Sequence, residues 1–450
     1  MRKKEQKQLP LMPAKIDHPH ALELEFMSRI LDSNPIINDL AFQDLTRKII
    51  QPNAGANGMT AEQVVRAAVI KQMNEYSYEE LSFHLVDSQC YRRFCRIGIA
   101  DGGYKSSALC SNIKALSPET WEAIHRILIS YAENKVIEKG RMARIDCTVV
   151  NSNIHEPTDS SLLWDSVRVL ARTLGKVKEQ YENLRIPFTD HTRRAKRRML
   201  GIMNAKKEEK REKLYGDLLK VTKSTVNYAK KTVDILLNSP MSSISQMTLV
   251  LELQEYITLS EKVIDQTHRR VLLGESVPAS EKVVSIFEPH TDIIVKDRRD
   301  TFYGHKVCLT GGASNLILDC YITDGNPADT SLTERMLDRQ KEIYGRYPLK
   351  VAFDGGFASK ENLEKAKTKK IKDVCFGKKR GLKVEDMCRS SYVYKKLRRF
   401  RAGIEAGISL IKRCFGFSIC TWKGYRSFKS YVWSSIVSVN LLTLARAEIA

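Results

Sequence analysis

Three carboxylates stand where an acid is either costly or useful. Asp146 lies within the β-branched run Arg144-Ile-Asp-Cys-Thr-Val-Val150, where a charge in an apolar strand is unfavourable unless something compensates it. Asp354 ends the run Val351-Ala-Phe-Asp and precedes Gly355 and Gly356, so a ligand can approach the backbone closely. Glu405 belongs to a helical stretch that also holds Arg401 and Lys412. At about 100° per residue these three fall within roughly 40° of one another, so one helix face presents a carboxylate flanked by two cations. Clustered carboxylates can hold a pair of Mg²⁺ ions about 4 Å apart, which suits in-line attack at phosphorus. Arg401 as a planar fork and Lys412 as a point charge would engage phosphate. Each acid alone has a plain structural reading: a satisfied core acid, a turn residue, a helix ion pair. Together they point to phosphodiester chemistry.

The elements that must position them follow from pattern. Residues 1 to about 50 are mixed, with Pro10, Pro13, Pro19 and Pro35 interrupting any long helix. Capping boxes at Thr60 to Gln63 and Ser77 to Glu80 open helices, and Ser117-Pro118-Glu119 opens another. A strand over Arg144–Val150 is followed by a long, very basic helical stretch from about Leu162 to Leu273. Strands resume near Val283; Lys306–Thr310 and Asn315–Thr323 form a hairpin around Gly311-Gly312-Ala-Ser. Helix, strand, helix, strand and two further helices complete the order. The expected fold class is α/β, a mixed sheet flanked by helices, with a helical N-terminal domain and a helical insertion after the first strand. The expected boundaries are 1–135 for a helical DNA-binding or dimerisation domain, 141–160 with 281–450 for the catalytic domain, and 161–280 for the insertion.

Charge indicates the partner. Lys and Arg number 74 against 53 Asp and Glu, a formal net charge of +21, which favours a polyanion such as nucleic acid. Arg193, Arg194, Arg197 and Arg198, without an acid among them, are candidates for DNA phosphate, as is Lys306. The mixed run Lys206–Lys213 reads equally well as a solvated face with ion pairs. Trp164 and Trp422 read as core, His305 is a weak general-base candidate, and Asp159 and Asp165 read as helix N-terminal acids. Asp319 and Asp324 read as edge and turn residues. No stretch reaches the roughly 18 to 20 apolar residues of a membrane span. The ten cysteines have no CxxC spacing and read as reduced thiols rather than a metal or disulfide framework. With no apolar signal core behind the basic first residues, a cytoplasmic, nucleoid-associated protein without a membrane partner is expected.

The segments Asp146-Cys-Thr-Val-Val and Phe353-Asp-Gly-Gly-Phe, with Arg401, Glu405 and Lys412 spaced by three and then six residues, resemble the DDE transposases of bacterial insertion sequences. Their group carries a Y-(2)-R-(3)-E-(6)-K signature around its last acid; here the tyrosine position is Arg398. The likeness spans about 141–160 and 283–446. It implies a ribonuclease H-like domain with Asp146, Asp354 and Glu405 as catalytic metal ligands for Mg²⁺, with Mn²⁺ as a substitute. It also implies cleavage at terminal inverted repeats of double-stranded DNA, strand transfer into target DNA without a covalent protein–DNA intermediate, and a homodimer in a synaptic complex. The rival readings are a catalytically silent DNA-binding regulator and a ribonuclease H-like nuclease without strand transfer.

Overall fold

Capping side chains start the N-terminal helices. The structure, a computed structural model, describes residues 4, 16–47, 58–98, 100–239, 243–296 and 300–450. Its first seven helices are α1 (Pro19–Asp32), α2 (Ile36–Thr46), α3 (Ala61–Asn74), α4 (Tyr78–Asp87), α5 (Gln89–Phe94), α6 (Ser106–Ala115) and α7 (Pro118–Asn134). Thr60 and Ser77 complete reciprocal capping boxes with Gln63 and Glu80, each satisfying backbone donors that the first turn leaves orphaned. No long helix crosses Pro19 or Pro35, as expected. Pro19 sits in the first turn of α1 and Pro35 directly precedes α2, where a missing N–H costs nothing. Pro10 and Pro13 lie outside the described residues.

Strand β1 (Met142–Ser152) follows, and then the helical insertion: α8 (Asp159–Gln180), α9 (Thr192–Met203), α10 (Glu208–Asn238) and α11 (Ile244–Thr267). Next come β2 (Asp292–Lys296), β3 (Asp300–Gly311), β4 (Ile317–Ile322), α12 (Asp329–Tyr344), β5 (Lys350–Phe353), α13 (Lys360–Thr368) and β6 (Asp373–Phe376). The chain finishes with α14 (Val384–Met387), α15 (Ser391–Cys414), β7 (Ile419–Cys420) and α16 (Tyr425–Ile449). Strands do not resume near Val283. The side-chain amide of Gln266 on α11 binds both the N–H and the carbonyl of Val283, and Ser285 Oγ accepts from the N–H groups of Phe287 and Glu288. This segment's polar backbone is thereby satisfied without a strand neighbour.

The chain forms two compact units, Met1–Asn153 with His305–Ala450, and Ile154–Gly304. In the first, the strand order is β4-β3-β1-β5-β6, with the short β7 paired to β1. The β3–β4 hairpin is antiparallel with a register shift between Thr310 and Gly311, whereas β1, β5 and β6 run parallel. Counted along the chain without β2, the order is 3-2-1-4-5, a ribonuclease H-like sheet. One core joins α1, α3, α7 and α16 to the inner faces of β3 and β4; a second lies among β1, β5, β6, α12, α13 and α15. The central residues of α16 are buried, as their apolar run suggests, and no described helix is long and apolar enough to cross a membrane. In the second unit, α8 to α11 enclose their own core, and β2 pairs antiparallel with the first half of β3.

The first unit buries one lysine at a cost that pH can reveal. Lys71 on α3 is 5% exposed, with its ammonium 5.1 Å from the Tyr78 ring centroid. Burial, reinforced by the charge of Lys114, lowers its pKa to about 8. Below that pH the group is protonated whether the chain is folded or not. Between about 8 and the ordinary lysine value only the unfolded chain holds the proton, so stability rises with pH by up to about 1.4 kcal/mol per unit. Lys71→Met should remove this rise; urea midpoints of the two proteins across that window measure it.

Candidate active site

Parallel pairing of β1 with β5 brings two of the acids together. Ile145 is in register with Phe353, and the N–H of Asp354 donates to the Ile145 carbonyl at 3.2 Å. Asp146 and Asp354 therefore leave neighbouring strands at the same level, about one strand spacing (roughly 5 Å) apart. Asp354 follows the carboxyl end of β5, the end at which α/β sheets commonly receive ligands, whereas Asp146 lies within β1, which runs on to Ser152. Asp146 is partly exposed, and its Oδ1 accepts from the N–H of Cys147 at 2.7 Å. Asp354 caps a 3-10 turn, Gly355–Phe357, accepting from the N–H of Gly356.

Helix α15 supplies the third acid and its cation. Arg401 Nη1 lies 3.0 Å from Asp354 Oδ1 and 2.8 Å from Glu405 Oε1, so a single guanidinium joins the strand acid to the helix acid. Arg401 is largely shielded, whereas Glu405 is exposed. Gly377, next to the end of β6, lets this happen: a Cβ there would stand 3.1 Å from the Gly355 nitrogen and 3.3 Å from both Arg401 Nε and Asp354 Oδ1. Beneath α15, Arg144 faces the same side of β1 as Asp146, two residues on. Its Nη1 donates to the Phe400 carbonyl at 3.1 Å and its Nη2 to Asn315 Oδ1 at 2.7 Å. This tethers the helix to the strand that carries Asp146.

Oxygen donors of this kind suit a hard divalent cation such as Mg²⁺. Yet among the described residues no three acidic, histidine or cysteine side chains converge as a metal cage. Arg401 stands between Asp354 and Glu405 and offsets part of their charge. The donor set fits the ion in chemistry, with a guanidinium now supplying the positive charge.

The remaining sequence candidates fall elsewhere. Lys306 is 9% exposed; its ammonium donates to the Pro327 carbonyl at 2.7 Å and pairs with Asp329 Oδ1 at 2.5 Å, bonds that a phosphate would have to displace. His305 is buried against the rings of Tyr425 and Phe428. Lys412 lies in the last turn of α15, where a cation complements the helix dipole. Arg398 is exposed, one turn before Arg401. In the second unit Arg194 and Arg198 both pair with Asp217, whereas Arg193 and Arg197 are exposed on another side of α9. Asp159 occupies the first turn of α8, as expected. Asp165 does not: it is 1% exposed and buried in a bond from His155 and a pair with Arg168. Asp319 lies on the edge strand β4, as expected. It is buried and clasped by Arg339 through two oxygens, at 2.6 and 2.7 Å. Trp422 is core, edge-on to Tyr431.

Sequence reasoning missed Asp329. It opens α12 beside the Asp354 turn, so close to Gly356 that a Cβ there would overlap its carboxylate. The one local signal is a helix-starting acid after Pro327, which does not disclose where the helix docks. All ten cysteines are free thiols, most of them buried.

No curated protein and no solved structure matches the chain. Residues 290–441 match the family of the transposase DDE domain, a stretch that includes Asp354, Arg401, Glu405 and Lys412 and leaves Asp146 outside. The strand order, the helical insertion after β1 and this match agree: residues 290–441 are similar to a transposase DDE domain, in a sheet of ribonuclease H-like order.

Proposed function

We propose that this chain is a DNA transposase that cuts and joins DNA at the ends of a mobile element. The observation that carries the reading is the placement of Asp146, within β1, level with Asp354, just past the end of the neighbouring β5, with Glu405 joined to Asp354 through Arg401. Asp146, Asp354 and Glu405 would hold Mg²⁺, which when bound supplies Lewis-acid polarisation of the phosphoryl group. The protein's own part is positional and electrostatic. Gly355 and Gly356 leave room beside the Asp354 turn for the side chain of Lys378 and the carboxylate of Asp329. Arg401 holds two carboxylates apart and close, and offers positive charge where a phosphate would sit. Lys412 stands on the same helix side, and the net charge of +21 draws in DNA before any specific contact. Binding of terminal inverted repeats, strand transfer and a synaptic homodimer belong to this proposal.

The test is incubation of the full chain with Mg²⁺ and labelled DNA carrying the sequences that flank its gene. Cleavage at discrete ends together with joined products is the expected result. Cleavage without joining would favour the nuclease reading, and tight binding without cleavage the silent regulator.

A further inference from the structure

A basic groove in the second unit lies between α8 and α9, with a volume of about 420 Å³. We infer that it is a DNA-backbone site, an assignment that rests on the DNA reading above and names the surface by which the insertion would bind. On α8, Trp164, Arg168 and Arg172 recur every fourth residue and so share one face. On α9, Arg193 and Lys196 line the opposite wall, and Arg197 stands one turn on from Arg193. Arg168 covers the Trp164 ring at 4.7 Å, so the aromatic floor is capped by a cation instead of being open for a base to stack. This favours phosphate over nucleobase as the ligand.

The chain sorts its arginines on α9. Arg194 and Arg198 point to Asp217 on α10 and spend their charge there. Arg193, Lys196 and Arg197 occupy another face, about 120° round the helix. Among the described residues, neither these three nor Arg172 has a carboxylate within ion-pair distance. Arg168 is bound to the buried Asp165, and the lining acid, Asp190, accepts from the N–H of Thr192. Three cations without a paired acid, Arg172, Arg193 and Lys196, thus line one concavity, and Arg197 adds a fourth one turn on from Arg193. A solvated face would interleave acids, as the first turns of α10 do with Lys207, Lys210 and Lys213 among Glu208, Glu209 and Glu212. Guanidinium forks facing a groove match phosphate oxygens, and each phosphate they neutralise releases counterions from B-DNA.

The test uses the full chain and a labelled duplex of roughly 30 base pairs of arbitrary sequence, titrated between about 50 and 200 mM salt. The variant Arg172→Gln/Arg193→Gln/Lys196→Gln/Arg197→Gln is compared with Lys206→Gln/Lys207→Gln/Lys210→Gln/Lys213→Gln, which loses the same charge. Circular dichroism checks that both remain folded. The groove variant should reduce the slope of log affinity against log salt by about 3 to 4, at about 0.9 per phosphate lost, and the control by less than about 1. Equal losses in the two variants would overturn the site in favour of diffuse attraction, as would an unchanged slope in the groove variant. If the wild type shows no salt-dependent DNA binding at all, the transposase reading falls and the groove assignment with it.

Discussion

Asp354→Asn is expected to lower DNA cleavage by at least about 10³-fold, the rate equivalent of the several kcal/mol that a bound Lewis acid contributes. Asparagine keeps the shape of the side chain and can still accept from the N–H of Gly356, so the turn at Gly355–Phe357 should survive. What it loses is charge. Arg401 then faces only Glu405 as a charge, and the carboxylate pair on adjacent β1 and β5 is reduced to Asp146. The measurement is single-turnover cleavage of end-bearing DNA at fixed Mg²⁺, beside an affinity titration on the same DNA. Affinity should change by less than about threefold, because one neutralised acid in a chain of net charge +21 barely alters the long-range field. Asp146→Asn and Glu405→Gln should behave alike. Normal cleavage by any of the three would remove that residue from the site.

Phe353→Ala is expected to cost about 3 to 5 kcal/mol of stability, the usual range for a large aromatic removed from a core. Phe353 is fully buried at the last position of β5. Its ring stacks on Phe376 at 5.5 Å between centroids and lies 5.4 Å from Phe357. Those two rings belong to the end of β6 and to the turn after Asp354, so the cluster clamps the strand ends from which the acid projects. A fall in the urea midpoint of the sheet-bearing unit, with little change in slope, is the expected result. Activity at low temperature should fall further than the folded fraction explains, because the lost ring also positioned Asp354. A cost below about 1 kcal/mol would mean that the three rings do not act as a unit.

Much of the architecture was legible because it is local. Strand β1 announces itself by β-branched residues, the β3–β4 hairpin by its glycines, and α3, α4 and α7 by their caps, and each lies within a few residues of expectation. The prolines also read correctly, since Pro19 starts α1 and Pro35 parts α1 from α2, so no long helix crosses either. The errors have physical causes. The stretch after Val283 reads as strand by composition, but Gln266 satisfies its backbone from another element. Asp319 is on the edge strand as read, but its burial went unread because its partner, Arg339, lies on a helix twenty residues later.

The sequence by itself determined which residues can bear the chemistry: three acids, a helix face pairing Glu405 with Arg401 and Lys412, and a basic insertion. Those are properties of side-chain type and helical period. Only the tertiary structure decided that Asp146 and Asp354 leave adjacent parallel strands in register, and that Arg401 spans from Glu405 to Asp354. It also decided that Arg194 and Arg198 are spent on Asp217 while their neighbours on α9 are not. Strand register and ion-pair choice depend on which distant segments pack together. No periodicity within one segment records that, because the energy that selects it is shared between residues far apart in the chain.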